Sequence, residues 1–166
     1  IGANGAGKST TLYAALRHRL ANYPGRFITV EEPVEFDIVG VAQIEVDTAD
    51  KVRFDTVLRN ILRSDPDVIM IGEIRDFDSA DVAIKAALTG HLVFSSIHTN
   101  SAAGVVTRLI DMGLEPFQVA ATVRLCIAQR LARRLCPECR KPRRLTAAEA
   151  AAVGRPDAAN ATVYEP

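Results

Sequence analysis

One short string dictates how this chain must begin to fold. Gly2-Ala3-Asn4-Gly5-Ala6-Gly7-Lys8-Ser9-Thr10 meets the spacing G-x4-G-K-S in full, a pattern that works as a tight loop opening directly into a helix. Its glycines let successive backbone N–H groups turn toward an anion, and the helix adds its positive N-terminal end. Lys8 is then expected to reach the β- and γ-phosphates of a nucleotide, and the Ser9 hydroxyl to hold Mg²⁺. The expected nucleotide contacts are Asn4, Gly5, Ala6, Gly7, Lys8, Ser9 and Thr10. The apolar positions Thr11, Leu12, Ala15, Leu16 and Leu20 recur at helical spacing, as the motif requires.

Beyond the loop, continuous apolar runs alternate with helical periodicity, which predicts an α/β chain with a largely parallel sheet. The pattern predicts helices over 9–21, 54–64, 79–88 and 101–112, and a long one from 116 to about 135. It predicts strands over 27–31, 68–71 and 91–97, with a short strand pair within 39–46. After Cys136 the composition turns basic, then alanine-rich, then loop-like. The expected division is one α/β domain over 1–135 and a small partial region over 136–166. The chain opens one residue before the loop and ends on Tyr164-Glu165-Pro166; it is expected to be a fragment of a longer protein.

Composition excludes little but ranks the partners. Twenty basic residues balance twenty acidic ones over 166 residues, so bulk charge supports neither nucleic acid nor a membrane as partner. From Arg124 to Arg144 eight Arg and Lys face a single acid, Glu138. A nucleic-acid motor would need base-stacking aromatics there, and aromatic content is 5%; no nucleic acid is expected. No apolar run approaches the about 18 residues of a membrane span. Three cysteines, two in Cys136-Pro137-Glu138-Cys139, fit a reducing compartment and half of a zinc site.

Chemistry is expected where strands end, because open α/β sheets place ligands at their carboxyl edge. The strand over 68–71 delivers Gly72-Glu73 there. Glu73 can orient or deprotonate an attacking water or share in holding Mg²⁺ with Ser9; pairing with Arg75 is the competing role. Glu31 and Glu32 stand at the end of the first strand, and Glu31 is the expected acid near the γ-phosphate, a purely structural salt bridge being its competing role. His98, at the end of the strand over 91–97, is expected to sense the phosphate, while His91 lies at the wrong end and His18 on the surface. Arg53, Arg59 and Arg63 are candidates for positive charge supplied to a neighbouring subunit's site, Arg59 and Arg63 sharing a helix face. Cys126 is expected in the core.

Together these motifs resemble the bacterial type II secretion and type IV pilus assembly ATPases, and the resemblance covers essentially the whole chain. Leu62–Asp76, L-R-S-D-P-D-V-I-M-I-G-E-I-R-D, looks like that family's atypical Walker B signature. V-E-E-P-V-E-F looks like its Asp box, T-G-H-L-V-F-S-S-I-H-T-N like its His box, and A-Q-R-L-A-R-R-L-C-P-E-C like the approach to its zinc region. The resemblance implies a RecA-like P-loop NTPase core working as a homo-hexameric, cytoplasmic Mg-ATP hydrolase. It implies attachment to inner-membrane platform proteins through partners, and work delivered to protein secretion or pilus extension. Glu73 would be the Walker B glutamate, Glu31 the Asp-box glutamate and His98 the His-box residue. Cys136 and Cys139 would be the first half of a tetracysteine Zn²⁺ motif completed only in the whole protein. The chain departs from the family at Glu31-Glu32, where Glu-Asp is usual, at Thr56, where many members carry Arg, and at Ala3-Asn4, where Pro-Thr is common. A nucleic-acid motor on the same core and a non-catalytic nucleotide-binding scaffold are the competing readings.

Overall fold

The computed structural model describes residues 1–46, 54–99 and 101–166, which gather into two compact units, Ile1–Arg130 and Leu131–Pro166. The first unit runs α1 (Lys8–Asn22), β1 (Phe27–Glu31), β2 (Ala42–Glu45), α2 (Phe54–Leu62), β3 (Val68–Ile74), α3 (Phe77–Leu88), β4 (Leu92–Ile97), α4 (Gly104–Asp111) and α5 (Pro116–Thr122). Its four strands form one parallel sheet in the order β2-β1-β3-β4. Ile28 stands beside Ile69 and Val30 beside Ile71, so the central strands present apolar layers in register.

Those strands are continuously apolar because both faces of the sheet are covered. On one face Ile28, Val30, Ile69 and Ile71 pack with Ile61 of α2 and Val82, Ala83 and Ala86 of α3. On the other, Tyr13 and Leu16 of α1 meet Phe27, Val68 and Met70. Side chains alternate between the faces along a strand, and this parity later decides which of two neighbouring glutamates reaches the site. α3 also buries Ala80 and Ile84 against Val105, Leu109 and Val119 of α4 and α5. Asp76 begins α3 with a capping box, its carboxylate accepting from the Ser79 N–H at 2.9 Å.

Two expectations about the backbone are corrected. The stretch 39–46 holds one strand, β2, parallel to β1; Val39, 96% exposed, lies outside it. Ten residues separate Glu31 from Ala42, enough for the chain to return and run parallel. The long helix expected from 116 to about 135 stops at Thr122, where Val123 adopts φ −71° and ψ 112°. Beyond it the backbone pairs with the chain's first residue: the Ile1 ammonium donates to the Ile127 carbonyl at 2.7 Å, and the Gln129 N–H to the Ile1 carbonyl at 2.9 Å. Val123, Leu125 and Ile127 recur with period two, so tertiary pairing of a strand-like pattern overrides local helix propensity. β3, for its part, runs past the expected Ile71 to Ile74, with a register shift against β4 between those residues.

The second unit contains an antiparallel pair, β5 (Lys141–Arg144) with β6 (Thr162–Glu165), and α6 (Ala147–Ala152). Thr146 and Glu149 form a capping box at the start of α6. Among the described residues no helix is long and apolar enough to cross a membrane.

Candidate functional site

α1 leads through a short turn into the amino end of β1, so its own N-terminus lies at the opposite, carboxyl edge of the sheet. The loop that precedes it carries Gly7 at φ 82°, ψ 24° as N-cap, with no side-chain cap bond. A left-handed N-cap is inexpensive only for glycine, and the uncapped first turn leaves backbone N–H groups free to meet an anion. The loop is closed by the Ala6 N–H donating to the Ala3 carbonyl at 3.2 Å. Lys8 folds over it, its Nζ donating to the carbonyls of Gly2 at 3.1 Å and Ala3 at 3.2 Å. Ala6 is buried, Ser9 half-buried, and Asn4, Gly5 and Thr10 exposed. Among the described residues the Ser9 hydroxyl makes no hydrogen bond, which suits it to a metal ligand's role. All seven expected nucleotide contacts thus sit on one loop and the first turn of one helix.

Across the same edge, β3 and β4 deliver the charged groups. Glu73 accepts from Arg75 Nε at 2.8 Å through Oε2, and its Oε1 lies 2.6 Å from His98 Nε2. The Arg75 guanidinium also donates to Glu32 Oε2 at 2.9 Å. His98, Glu73, Arg75 and Glu32 therefore form one connected network, and the hydrogen bond to Glu73 is the main reason the Arg75 guanidinium is held above its ordinary pKa. Glu73 is thus both at the strand tip and paired with Arg75, the two roles weighed for it from sequence. Glu73, Arg75 and His98 line an open cleft of about 390 Å³ together with Arg108 and Met112 of the α4 region. A carboxylate held between a histidine and an arginine at the mouth of such a cleft can accept a proton or orient a water molecule.

Glu31 lies apart from this network. Glu31 is 4% exposed and faces α1, where Tyr13 donates its hydroxyl proton to Oε2. Its Oε1 accepts from Thr29 Oγ1 at 2.6 Å and Gln43 Nε2 at 3.2 Å. Burial first, and the Glu31 bond second, push the Tyr13 phenol above its ordinary pKa. Parity places Glu31 under α1, and it is Glu32 that the next step of the chain carries to Arg75.

The remaining candidates are scattered. The His91 Nδ1–H donates to the Ala86 carbonyl at 2.9 Å, with the Thr89 hydroxyl 3.0 Å from the same nitrogen, closing the end of α3, and His18 lies beside Asn22 on α1. Arg59 is exposed on α2; Arg63, also exposed, lies in the turn after α2 ends at Leu62, so the shared helix face stops short of it. Arg53 lies outside the described residues. Cys126 is half-buried beside the α3–α5 cluster. In the second unit Cys136 and Cys139 are exposed free thiols, and the Cys136 thiol is held below its ordinary pKa, chiefly by the Glu138 N–H, then by Cys139. Backbone N–H groups aimed at a sulfur favour the thiolate that binds metal, but two thiols are half of a tetrahedral site. Among the described residues no group of three or more His, Cys, Asp or Glu could hold a metal ion, so zinc does not fit this segment alone.

One residue at the loop carried no sequence signal of its own. Gln129, more than a hundred residues downstream, places its carboxamide against Ala6, Gly7 and Thr11.

Known proteins share this sequence and fold. A sequence profile of the family described as Type II/IV secretion system protein matches residues 1–165. Type II secretion system protein E of Aeromonas hydrophila is 49% identical over 165 residues, covering 99% of this chain and 33% of that protein. The type IV pilus assembly ATPase PilB of Myxococcus xanthus is 54% identical over 141 residues, covering 85% of this chain and 25% of that protein. The crystal structure of the pilus retraction motor PilT with bound ADP superimposes with a TM-score of 0.65 at 38% identity, covering 72% of this chain and 36% of that one. The chain thus spans a quarter to a third of the curated relatives it matches, and its core is the RecA-like core of the secretion ATPases.

Proposed function

The chain belongs to the type II/IV secretion system protein family, and from that premise we propose that it is the motor segment of a Mg-ATP hydrolase that powers type II secretion or type IV pilus assembly. The observation that carries this is that an uncapped Lys8 loop and the His98–Glu73–Arg75–Glu32 network both stand at the carboxyl edge of one sheet. Lys8 and the loop N–H groups bind the phosphates. Ser9 and Glu73 would hold Mg²⁺, which when bound supplies positive charge at the β- and γ-phosphates. Glu73 orients the attacking water, and His98 and Arg75 fix the direction of its carboxylate. Glu32 takes the acidic role that Glu31, buried under α1, does not reach. Arg59 and Arg63 remain candidates for a contact in trans, with Arg53.

The complete protein is proposed to work as a homo-hexameric ring in the cytoplasm, peripheral to the inner membrane through platform proteins. Cys136 and Cys139 would bind Zn²⁺ there with a second pair of ligands outside this segment.

Hydrolysis measured on the complete protein tests the reading. Specific activity should rise with protein concentration, as sites completed by a neighbour require. Lys8→Ala should abolish nucleotide binding, and Glu73→Gln should bind ATP while losing at least about a hundredfold in kcat, within the range typical of a positioned acid–base group. Near-normal turnover by Glu73→Gln would remove Glu73 from the chemistry, and constant specific activity would remove the ring.

A further inference from the structure

The carboxamide of Gln129 is wedged against the phosphate loop from a segment nothing in the motif includes. Its Nε2 donates to the Ala6 carbonyl at 2.8 Å and the Gly7 carbonyl at 3.3 Å, and its Oε1 accepts from the Thr11 hydroxyl at 2.6 Å. The amide can sit only this way round. Two carbonyl oxygens can only accept, so the NH₂ must face them, and the oxygen is left for the one partner that can donate. The backbone is as close as the side chain: a Cβ placed on Gly2 would lie 2.5 Å from the Gln129 carbonyl oxygen. The Gln129 N–H donates to the Ile1 carbonyl at 2.9 Å. Loop and segment are therefore fitted along their length, and Gly2 is the residue that permits it.

The consequence lies in the planarity of the peptide unit. In a trans peptide the C=O of one residue and the N–H of the next point in opposite directions. Holding the Ala6 carbonyl on Gln129 turns the Gly7 N–H to the other side, and holding the Gly7 carbonyl does the same for the Lys8 N–H. These are the groups that form the floor of a phosphate cradle. The Gly7 carbonyl also accepts the Thr11 N–H at 3.1 Å, so Gln129 shares the 7–8 plane with the helix; the 6–7 plane, which glycine at position 7 could otherwise let rotate with little steric cost, rests on the 2.8 Å bond to Gln129.

We propose that Gln129 is a positioning residue of the phosphate loop, fixing the 6–7 peptide plane and, together with the Thr11 N–H, the 7–8 plane, so that the Gly7 and Lys8 N–H groups face the nucleotide phosphates. This rests on the nucleotide-binding reading above. Thr11 acts one step further out, holding the amide by its oxygen.

The test is titration of the complete protein with a fluorescent ADP analogue, alongside steady-state ATP hydrolysis. Gln129→Glu keeps the shape and the acceptor for Thr11, but replaces the donor by an oxygen facing two carbonyls. At pH 7.5 its affinity should fall tenfold or more, from about a factor of five to ten for each hydrogen bond lost, with KM for ATP rising more than kcat falls. As pH is lowered toward 5 the carboxyl protonates and again donates to Ala6, so affinity relative to wild type at the same pH should recover. A merely structural loss would not titrate. Thr11→Val should weaken binding by about threefold and carries the test if Gln129→Glu does not fold. Wild-type affinity in Gln129→Glu at pH 7.5, a loss that does not recover at low pH, or unchanged affinity in Thr11→Val would each overturn the proposal. Lys8→Ala separates the two levels: loss of binding there with no effect at Gln129 sinks the positioning role alone, and wild-type binding in Lys8→Ala sinks the nucleotide reading with it.

Discussion

Replacing Tyr13 by Phe isolates the job of the buried glutamate. The ring is kept, and with it the edge-on contact with Phe36 at a centroid distance of 5.7 Å. What is lost is the hydroxyl, which donates to Glu31 Oε2 and accepts from the backbone N–H groups of Glu35 at 3.1 Å and Phe36 at 3.4 Å. Glu31 Oε1 keeps Thr29 and Gln43, but among the described residues Oε2 loses its partner inside a side chain that is 4% exposed. A buried hydrogen bond to a charged group is worth about 1.5–3 kcal/mol, whereas the two amides regain water at small cost. About 2 kcal/mol of local stability should go, which is roughly thirtyfold in an opening equilibrium. Hydrogen exchange on the complete protein reads it residue by residue. The amides of Glu35 and Phe36 lose an acceptor directly, so the decisive probe is the Val46 N–H, which donates to the Glu31 carbonyl at 2.9 Å and is untouched by the substitution. It should exchange about thirtyfold faster, while kcat at saturating ATP changes by less than about twofold. Acceleration below about threefold at Val46 would mean that Tyr13 does not hold Glu31. Normal exchange with a tenfold fall in kcat would return Glu31 to the chemistry, the role its sequence position suggests.

Two further predictions concern the second unit. Glu149 is held down to about 2 by the Arg143 guanidinium, then by the Thr146 N–H and hydroxyl. A carboxyl lowered on folding contributes stability above its unfolded value of 4.5 that is lost as pH falls through about 2. The capping box of α6 should therefore persist at pH 3, and an NMR titration of the Glu149 carboxyl with a midpoint near 4.5 would refute the Arg143 clamp. The Cys136 thiol, held low by the Glu138 N–H, should alkylate faster near neutral pH in the zinc-free folded protein than after unfolding in urea, because thiolate fraction outweighs the lower intrinsic nucleophilicity. Equal rates by mass spectrometry would mean that the turn does not activate it.

Much of the candidate site's placement is legible in the sequence because its residues are consecutive. Gly2–Thr10 and Gly72-Glu73 each sit on a single loop or strand end, so spacing alone placed them. The surroundings of Glu31 rest on something spacing does not carry: whether an end-of-strand side chain faces α1 depends on which face that helix covers, and that is set by Tyr13 and Leu16 packing on Phe27, Val68 and Met70. The segment after Thr122 was misread as helix because its basic and alanine-containing composition suits a helix, while its period-two apolar pattern suits a strand; pairing with Ile1 decides it. Gln129 was invisible on the same ground, since a carboxamide becomes a loop clasp only when folding brings it from position 129 to position 6.

These separate outcomes meet in α1. Its first turn is fixed by Gln129 through Gly7 and Thr11, and its middle is tied to β1 by the Tyr13–Glu31 bond. The helix is thus held at two points along its axis, from opposite ends of the unit's sequence. Glu31 and Glu32 divide the work of a single step in the chain. The side chain directed inward anchors the helix that carries the phosphate loop, and the one directed outward joins Arg75, Glu73 and His98. Alternation of side chains turns Glu31, the last residue of β1, to the helix-covered face, and the next residue leaves the strand in the other direction. The two neighbouring acids thus differ in what they hold: Glu31 is bound to Tyr13 of α1, and Glu32 to Arg75.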